Sequence, residues 1–208
     1  MLQIIPALLV AITVVIQCLA VQMSRYRLSR MNARPPHHGL ALMSGMLAAA
    51  AIILRLYQND SAVGVLFMTI MTGCMTLMTL TDAASCRLPR PFTIMYLISG
   101  SAFRLWQGDW LTGLCSAGFW FLLLLLFRQY TSYRRKTETI GLGDVFLIAG
   151  IAIWSPPGDI PWIVATAAGG ALLYLCCNRQ RRITRELPFG PFLCASQYAF
   201  TFYPGGLW

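Results

Sequence analysis

AVGVLFMTIMTGCMTLMTLTDAASCRLP, residues 62–89, decides the fold. Its first twenty residues carry no charged side chain. A helix needs about 20 predominantly apolar residues to cross a hydrocarbon core of about 30 Å. The run closes on Asp82, and Arg87 and Pro89 follow it. A carboxylate costs about 2.5–3.5 kcal/mol at the centre of a spanning helix on insertion scales, so one at or near a span is a functional candidate by default.

The same pattern recurs along the chain. Of its 208 residues, 57% are hydrophobic and 11% charged, whereas a soluble domain is about one-quarter charged. Apolar runs predict spans at 2–22, 40–57, 62–81, 91–106, 110–127, 140–154, 161–177 and 189–205. The expected fold is all-α: a polytopic transmembrane bundle of about eight helices, forming a single integral-membrane domain over 1–208. Leu2 to Val21 has no basic residue before it and no clear cleavage site, so it is expected to be a retained helix.

Charge placement gives the orientation. The segments 23–39, 82–90, 128–139 and 178–188 hold 14 of the 16 Lys and Arg residues. Basic loops face the cytoplasm by the positive-inside rule. Eight spans then put both termini on the periplasmic side, with Asp60, Asp109 and Asp159 outside. Arg55 and Arg104 fall near the outer ends of their spans, where long side chains are expected to snorkel. The net charge of +9 is thus explained by a lipid bilayer, and nucleic acid is not an expected partner.

The second informative stretch is IGLGDVFL, residues 140–147. Asp144 falls at the start of a span and, in this layout, on the same side as Asp82. Two carboxylates sharing a site do not both ionise easily; one keeps a proton while the other is charged. Such a pair activates water and protonates a leaving amine, so peptide hydrolysis needs neither a metal nor another nucleophile. Helix dipoles suggest Asp144, at a helix N-terminus, as the ionised base and Asp82, at a C-terminus, as the proton carrier. A lone acidic residue at a helix end is otherwise an N-cap or a solvated boundary group. Gly141 and Gly143 permit close approach of a substrate strand or a neighbouring helix. The spans 92–106 and 141–154 measure about 21–23 Å at 1.5 Å per residue, which predicts aspartates recessed in a water-filled cleft.

Pro188, Phe189, Gly190 and Pro191 begin the last span. Proline favours a helix start, and a glycine between two prolines interrupts regular hydrogen bonding. The freed backbone groups are candidates to pair with an extended substrate. Glu138 and Glu186 are the other acids on the basic face and candidates for a substrate's Lys or Arg. The seven cysteines include no CxxC pair and read as small packing residues. His37 and His38 lack further spaced ligands, so neither a metal nor a cofactor is expected. Met68, Met71, Met75 and Met78 form a packing stripe at helical spacing. Ala41, Gly45 and Ala49, with Ala165 and Gly169, read as faces that let helix backbones approach.

TLTDAASCRLP, GLGDVFLIAG and RELPFGPFL, taken together over roughly residues 75–205, resemble the type IV prepilin peptidases, membrane aspartyl proteases of the GxGD kind. The resemblance implies a bacterial inner-membrane endopeptidase with its active site facing the cytoplasm. It implies that Asp82 and Asp144 are catalytic. The implied substrates are pilin or pseudopilin precursors, cut after a glycine that ends a short basic leader. Many members carry a cytoplasmic domain with two CxxC pairs between the first two helices; here that connection, 23–39, has no cysteine. Many also methylate the new N-terminus, an activity linked to the region reduced here. Arg90 stands where Asp or Asn is common, and Phe146 where Lys is common. Competing readings are a proton or cation pathway using the paired carboxylates, a structural subunit of a pilus or secretion machine, and a protease acting deeper in the bilayer. Oligomeric state is left open.

Overall fold

The computed structural model describes residues 4–31, 38–57, 61–135, 141–177 and 187–202. Among them are eight helices and no strand. These are α1 (Ile4–Arg30), α2 (His38–Tyr57), α3 (Ala62–Ser85), α4 (Arg90–Gln107), α5 (Trp110–Arg135), α6 (Leu142–Trp154), α7 (Ile160–Cys177) and α8 (Gly190–Thr201). Each coincides with an expected span. The largest differences are that α1 and α5 continue into the basic stretches that follow their apolar runs, to Arg30 and Arg135. Arg27 and Arg30 in the last turn of α1 favour that extension, because cations stabilise a helix C-terminus.

Helices α1, α2, α3, α5 and α7 are long and apolar enough to cross a membrane. By contrast, α6 and α8 have 13 and 12 residues, about 20 and 18 Å at 1.5 Å per residue. Both are interior elements. From Val145 to Trp154 every residue of α6 but Phe146 is buried, so its backbone meets protein rather than lipid.

The hub is α3, buried without interruption from Met71 through Asp82. Its methionine stripe is core, as expected: Met68, Met71, Met75 and Met78 are at most 1% exposed. Two polar contacts join α3 to α1. The Thr13 and Thr69 hydroxyls lie 3.2 Å apart, and the Gln17 amide donates to Thr72 Oγ1 at 3.2 Å. Against the other side of α3 stands an aromatic wedge from α4 and α6. Phe103 stacks on Trp154 at 5.3 Å, and Trp154 Nε1–H donates to the Tyr96 carbonyl at 3.1 Å. The Tyr96 hydroxyl donates to Gln197 Oε1 at 2.6 Å, which ties α4 to α8.

Three packing expectations are corrected. The buried face of α2 is Ser44, Ala48, Ala51, Ile52 and Arg55, and that of α7 is Ile160, Ile163, Ala167 and Ala171. Ala49, Ala165 and Gly169 point outward, and a Cβ added at Gly45 or Gly169 would meet nothing within 4 Å. Four-residue spacing of small side chains marks a face without saying which way it turns. Nor does Arg104 snorkel. It is 7% exposed, and its Nε and Nη2 donate to the carbonyls of Ile153 and Ser155 at 2.8 and 3.1 Å. Carbonyls at a helix C-terminus lack intrahelical partners, and Arg104 satisfies one in the last turn of α6 and that of its C-cap, Ser155. Among the cysteines, only Cys74 and Cys194 are buried; Cys18, Cys115, Cys176 and Cys177 are exposed. The packing role therefore holds for two of them.

Candidate active site

One end of the bundle gathers the C-terminus of α3 and the N-termini of α4, α6 and α8. Asp82 lies in the last turn of α3 and is 4% exposed. Beyond it Cys86 closes the helix in the left-handed region (φ 49°), its N–H donating to the Asp82 carbonyl at 2.7 Å. Such a position ordinarily favours glycine or asparagine. The chain then turns through Arg87, Leu88 and Pro89 into α4.

Asp144 lies in the first turn of α6, half-buried. Gly141 is the N-cap and offers no side chain to cap the helix; its carbonyl accepts from the Asp144 N–H at 3.1 Å. A Cβ at Gly141 would stand 3.2 Å from Asp144 Oδ2, so this glycine leaves room for the carboxylate. A Cβ at Gly143 would stand 2.8 Å from Leu88 Cβ. The neighbour that this helix start meets is Leu88, which lies on the α3–α4 connection rather than on a helix. That contact brings the segment containing Asp144 against the segment that follows Asp82. The two carboxylates therefore lie at the same end of the bundle.

The third segment meets Asp82 directly. The Gly190 N–H donates to Asp82 Oδ2 at 2.8 Å. Gly190 and Phe189 are the first residue and the N-cap of α8, with Pro191 in its first turn. The Gly190 N–H, expected to be free for a substrate strand, is instead taken by Asp82. The dipole argument changes with it. Asp82 ends α3 but also faces the start of α8, so helix ends no longer separate the two carboxylates as the sequence suggested. Pro188 and Phe189 are half-buried, and Phe189 packs on the core cluster to which α2, α3, α4, α6, α7 and α8 contribute.

Glu138 and Glu186 lie outside the described residues, as does His37. His38 Nδ1 is 3.2 Å from Arg25 Nη2. Arg27 lies over the Phe92 ring at 5.1 Å, which puts the end of α1 beside the start of α4. Phe146, where the resemblance would have placed a lysine, packs on Phe121 of α5 with ring centroids 5.2 Å apart. Sequence reasoning missed Leu88 as a contact and Arg104 as a clamp. Leu88 stood inside the first aspartate motif, and a lone arginine near the end of an apolar run was the available sign for Arg104.

With the three motifs meeting at one end of a helical bundle, the chain belongs to the type IV leader peptidase family, whose profile matches residues 69–176. It is 32% identical over 174 residues to the prepilin leader peptidase/N-methyltransferase of Burkholderia pseudomallei strains 1026b and K96243, covering 79% of this chain and 53% of each relative. It is 33% identical over 75 residues to leader peptidase HopD of Escherichia coli, covering 33% of this chain and 48% of that protein. The chain spans about half the length of these curated relatives. No solved structure matches it. Five helices able to span and the family together make it a multi-pass membrane protein.

Proposed function

We propose that this protein is an aspartyl endopeptidase, a single-domain prepilin leader peptidase. It removes the short basic leader of type IV pilin or pseudopilin precursors after a glycine, with Asp82 and Asp144 as its catalytic pair. The observation carrying this reading is the convergence of the two aspartates at one end of the bundle. Asp82 is almost wholly buried there and accepts a hydrogen bond from the third motif.

In the proposed reaction a water lies between the carboxylates. The ionised member takes a proton from the water as its oxygen bonds to the scissile carbonyl carbon. The protonated member gives its proton to the carbonyl oxygen. The tetrahedral intermediate then expels the amine, which takes up a proton from the dyad as the C–N bond breaks. No metal is required. A charge pathway across the bilayer would favour carboxylates at the midplane, and both groups lie at one end.

The basic side chains support a cytoplasmic site. Arg27, Arg87 and Arg90 lie at the aspartate end, the side that faces the cytoplasm under the positive-inside rule. The inner membrane, with both termini periplasmic, is the proposed setting. Processing of a tagged prepilin in membranes holding wild type, Asp82→Ala or Asp144→Ala tests the reading. Wild type is expected to shorten the substrate and both variants to leave it intact. Cleavage by either variant at the wild-type rate would refute it.

A further inference from the structure

The first turn of α8 is built to hand one N–H to Asp82. Phe192 and Leu193 both donate to the Phe189 carbonyl, at 3.1 and 3.2 Å. Pro191 has no N–H to give. Gly190 is left as the residue of this turn whose N–H is directed out of the helix, and it reaches Asp82 Oδ2 at 2.8 Å. The approach leaves no room for a side chain while Asp82 stays in place. A Cβ at Gly190 would lie 2.8 Å from Asp82 Oδ2, 3.2 Å from its Cγ and 3.3 Å from its Cβ.

We propose that Gly190 is a positioning residue: its N–H locks one oxygen of Asp82 and thereby confines the proton of the aspartate pair to Asp82 Oδ1 or Asp144. The inference rests on the catalytic pair proposed above and assigns the segment Pro188–Pro191 a role other than substrate pairing. A carboxyl group carries its proton on one oxygen, and that hydroxyl oxygen accepts hydrogen bonds poorly. An N–H fixed on Oδ2 therefore favours the states in which Oδ2 is the carbonyl or carboxylate oxygen. Oδ1 is left to exchange its proton with the attacking water or with Asp144. Asp82 is 4% exposed, so little bulk water competes for the held oxygen. The turn after Gly190 adds to the selection, because the proline there supplies no second donor.

Two replacements of Gly190 test this in the full chain, reconstituted in liposomes with a prepilin peptide. Gly190→Ala keeps the N–H but adds the Cβ. An amide-to-ester exchange at residue 190 removes the N–H and adds no side chain. Hydrogen bonds to charged groups are the stronger ones, so both are expected to lower kcat about ten- to hundredfold with KM within about twofold. Gly169→Ala, whose added Cβ meets nothing within 4 Å, is expected to match wild type. Isotope-edited infrared spectra, with the Asp82 carboxyl band identified by its loss in Asp82→Asn, are expected to show that band displaced in both Gly190 replacements. Wild-type kcat together with an undisplaced band in the ester variant would overturn the proposal, even if Gly190→Ala fails to fold. The infrared measurement does not depend on turnover. An inactive wild type with a displaced band would sink the protease reading and leave the Gly190–Asp82 lock standing.

Discussion

At the scale of the residue, the short distances in the site concern glycines, and the one at Gly143 makes a prediction of its own. Gly143 lies where a Cβ would be 2.8 Å from Leu88 Cβ, so neither side can absorb a side chain without moving backbone. Gly143→Ala is expected to lower prepilin cleavage at least about tenfold, while the melting temperature in detergent changes little, since alanine is the better helix former by about 1 kcal/mol. Leu88→Gly, which removes the opposing Cβ, is expected to restore part of the loss. If the double variant cleaves no better than Gly143→Ala, the contact is not what couples the two segments. Glu138 and Glu186 make a separate prediction from charge alone. Reversal of either to Lys is expected to slow cleavage of basic leaders more than neutral ones, and equal effects on both would remove these residues from leader recognition.

At the scale of the element, α6 is fastened at both ends, and its clamp is polar. Arg104 donates to two carbonyls at the α6 C-terminus and lies 3.6 Å from Asp109, itself half exposed. The exposed ion pair contributes little; the two buried hydrogen bonds contribute more. Arg104→Met is expected to destabilise the protein by about 2–4 kcal/mol, read as a lowered unfolding midpoint in detergent. Arg104→Lys is expected to recover only part, because one ammonium is a poor substitute for a fork that reaches two acceptors. A midpoint unchanged in Arg104→Met would show that the α6 carbonyls find other donors. In α3, Met75 is fully buried, and Met75→Ala is expected to remove about 2–4 kcal/mol by leaving a cavity. The element pattern was legible because apolar runs of 15 to 20 residues interrupted by basic loops have one physical reading. The faces were not. The small-residue stripes of α2 and α7 repeat at four residues, yet the helices turned other sides inward. Sequence period fixes which residues share a face, but only the neighbours decide which face is buried.

At the scale of the whole molecule, Asp82 and Asp144 come from helices separated by two others, and α8 closes the arrangement from the end of the chain. Both candidate carboxylates were visible in the sequence, because acids are rare in an apolar chain and these two border spans. The partner of Asp82 was not. A backbone N–H carries no signature in the one-letter sequence, and its acceptor lies 108 positions away. Orientation is testable without turnover. In a chain with Cys86 as its sole cysteine, a membrane-impermeant maleimide is expected to label inverted vesicles and not intact cells, whereas Asp159→Cys in a cysteine-free chain is expected to behave oppositely. Labelling of Cys86 from the outside would invert the proposed topology.

The enclosure of α6 bears on how the protein meets different lipids. A helix of about 20 Å exposed to acyl chains would force the leaflet to thin or the helix to shift, and turnover would vary with chain length. Here α4, α5, α7 and α8 pack against the short element that holds Asp144, and its residues from Leu147 to Trp154 are buried. Membrane thickness is absorbed at the rim, and the depth of that carboxylate is fixed by protein contacts alone.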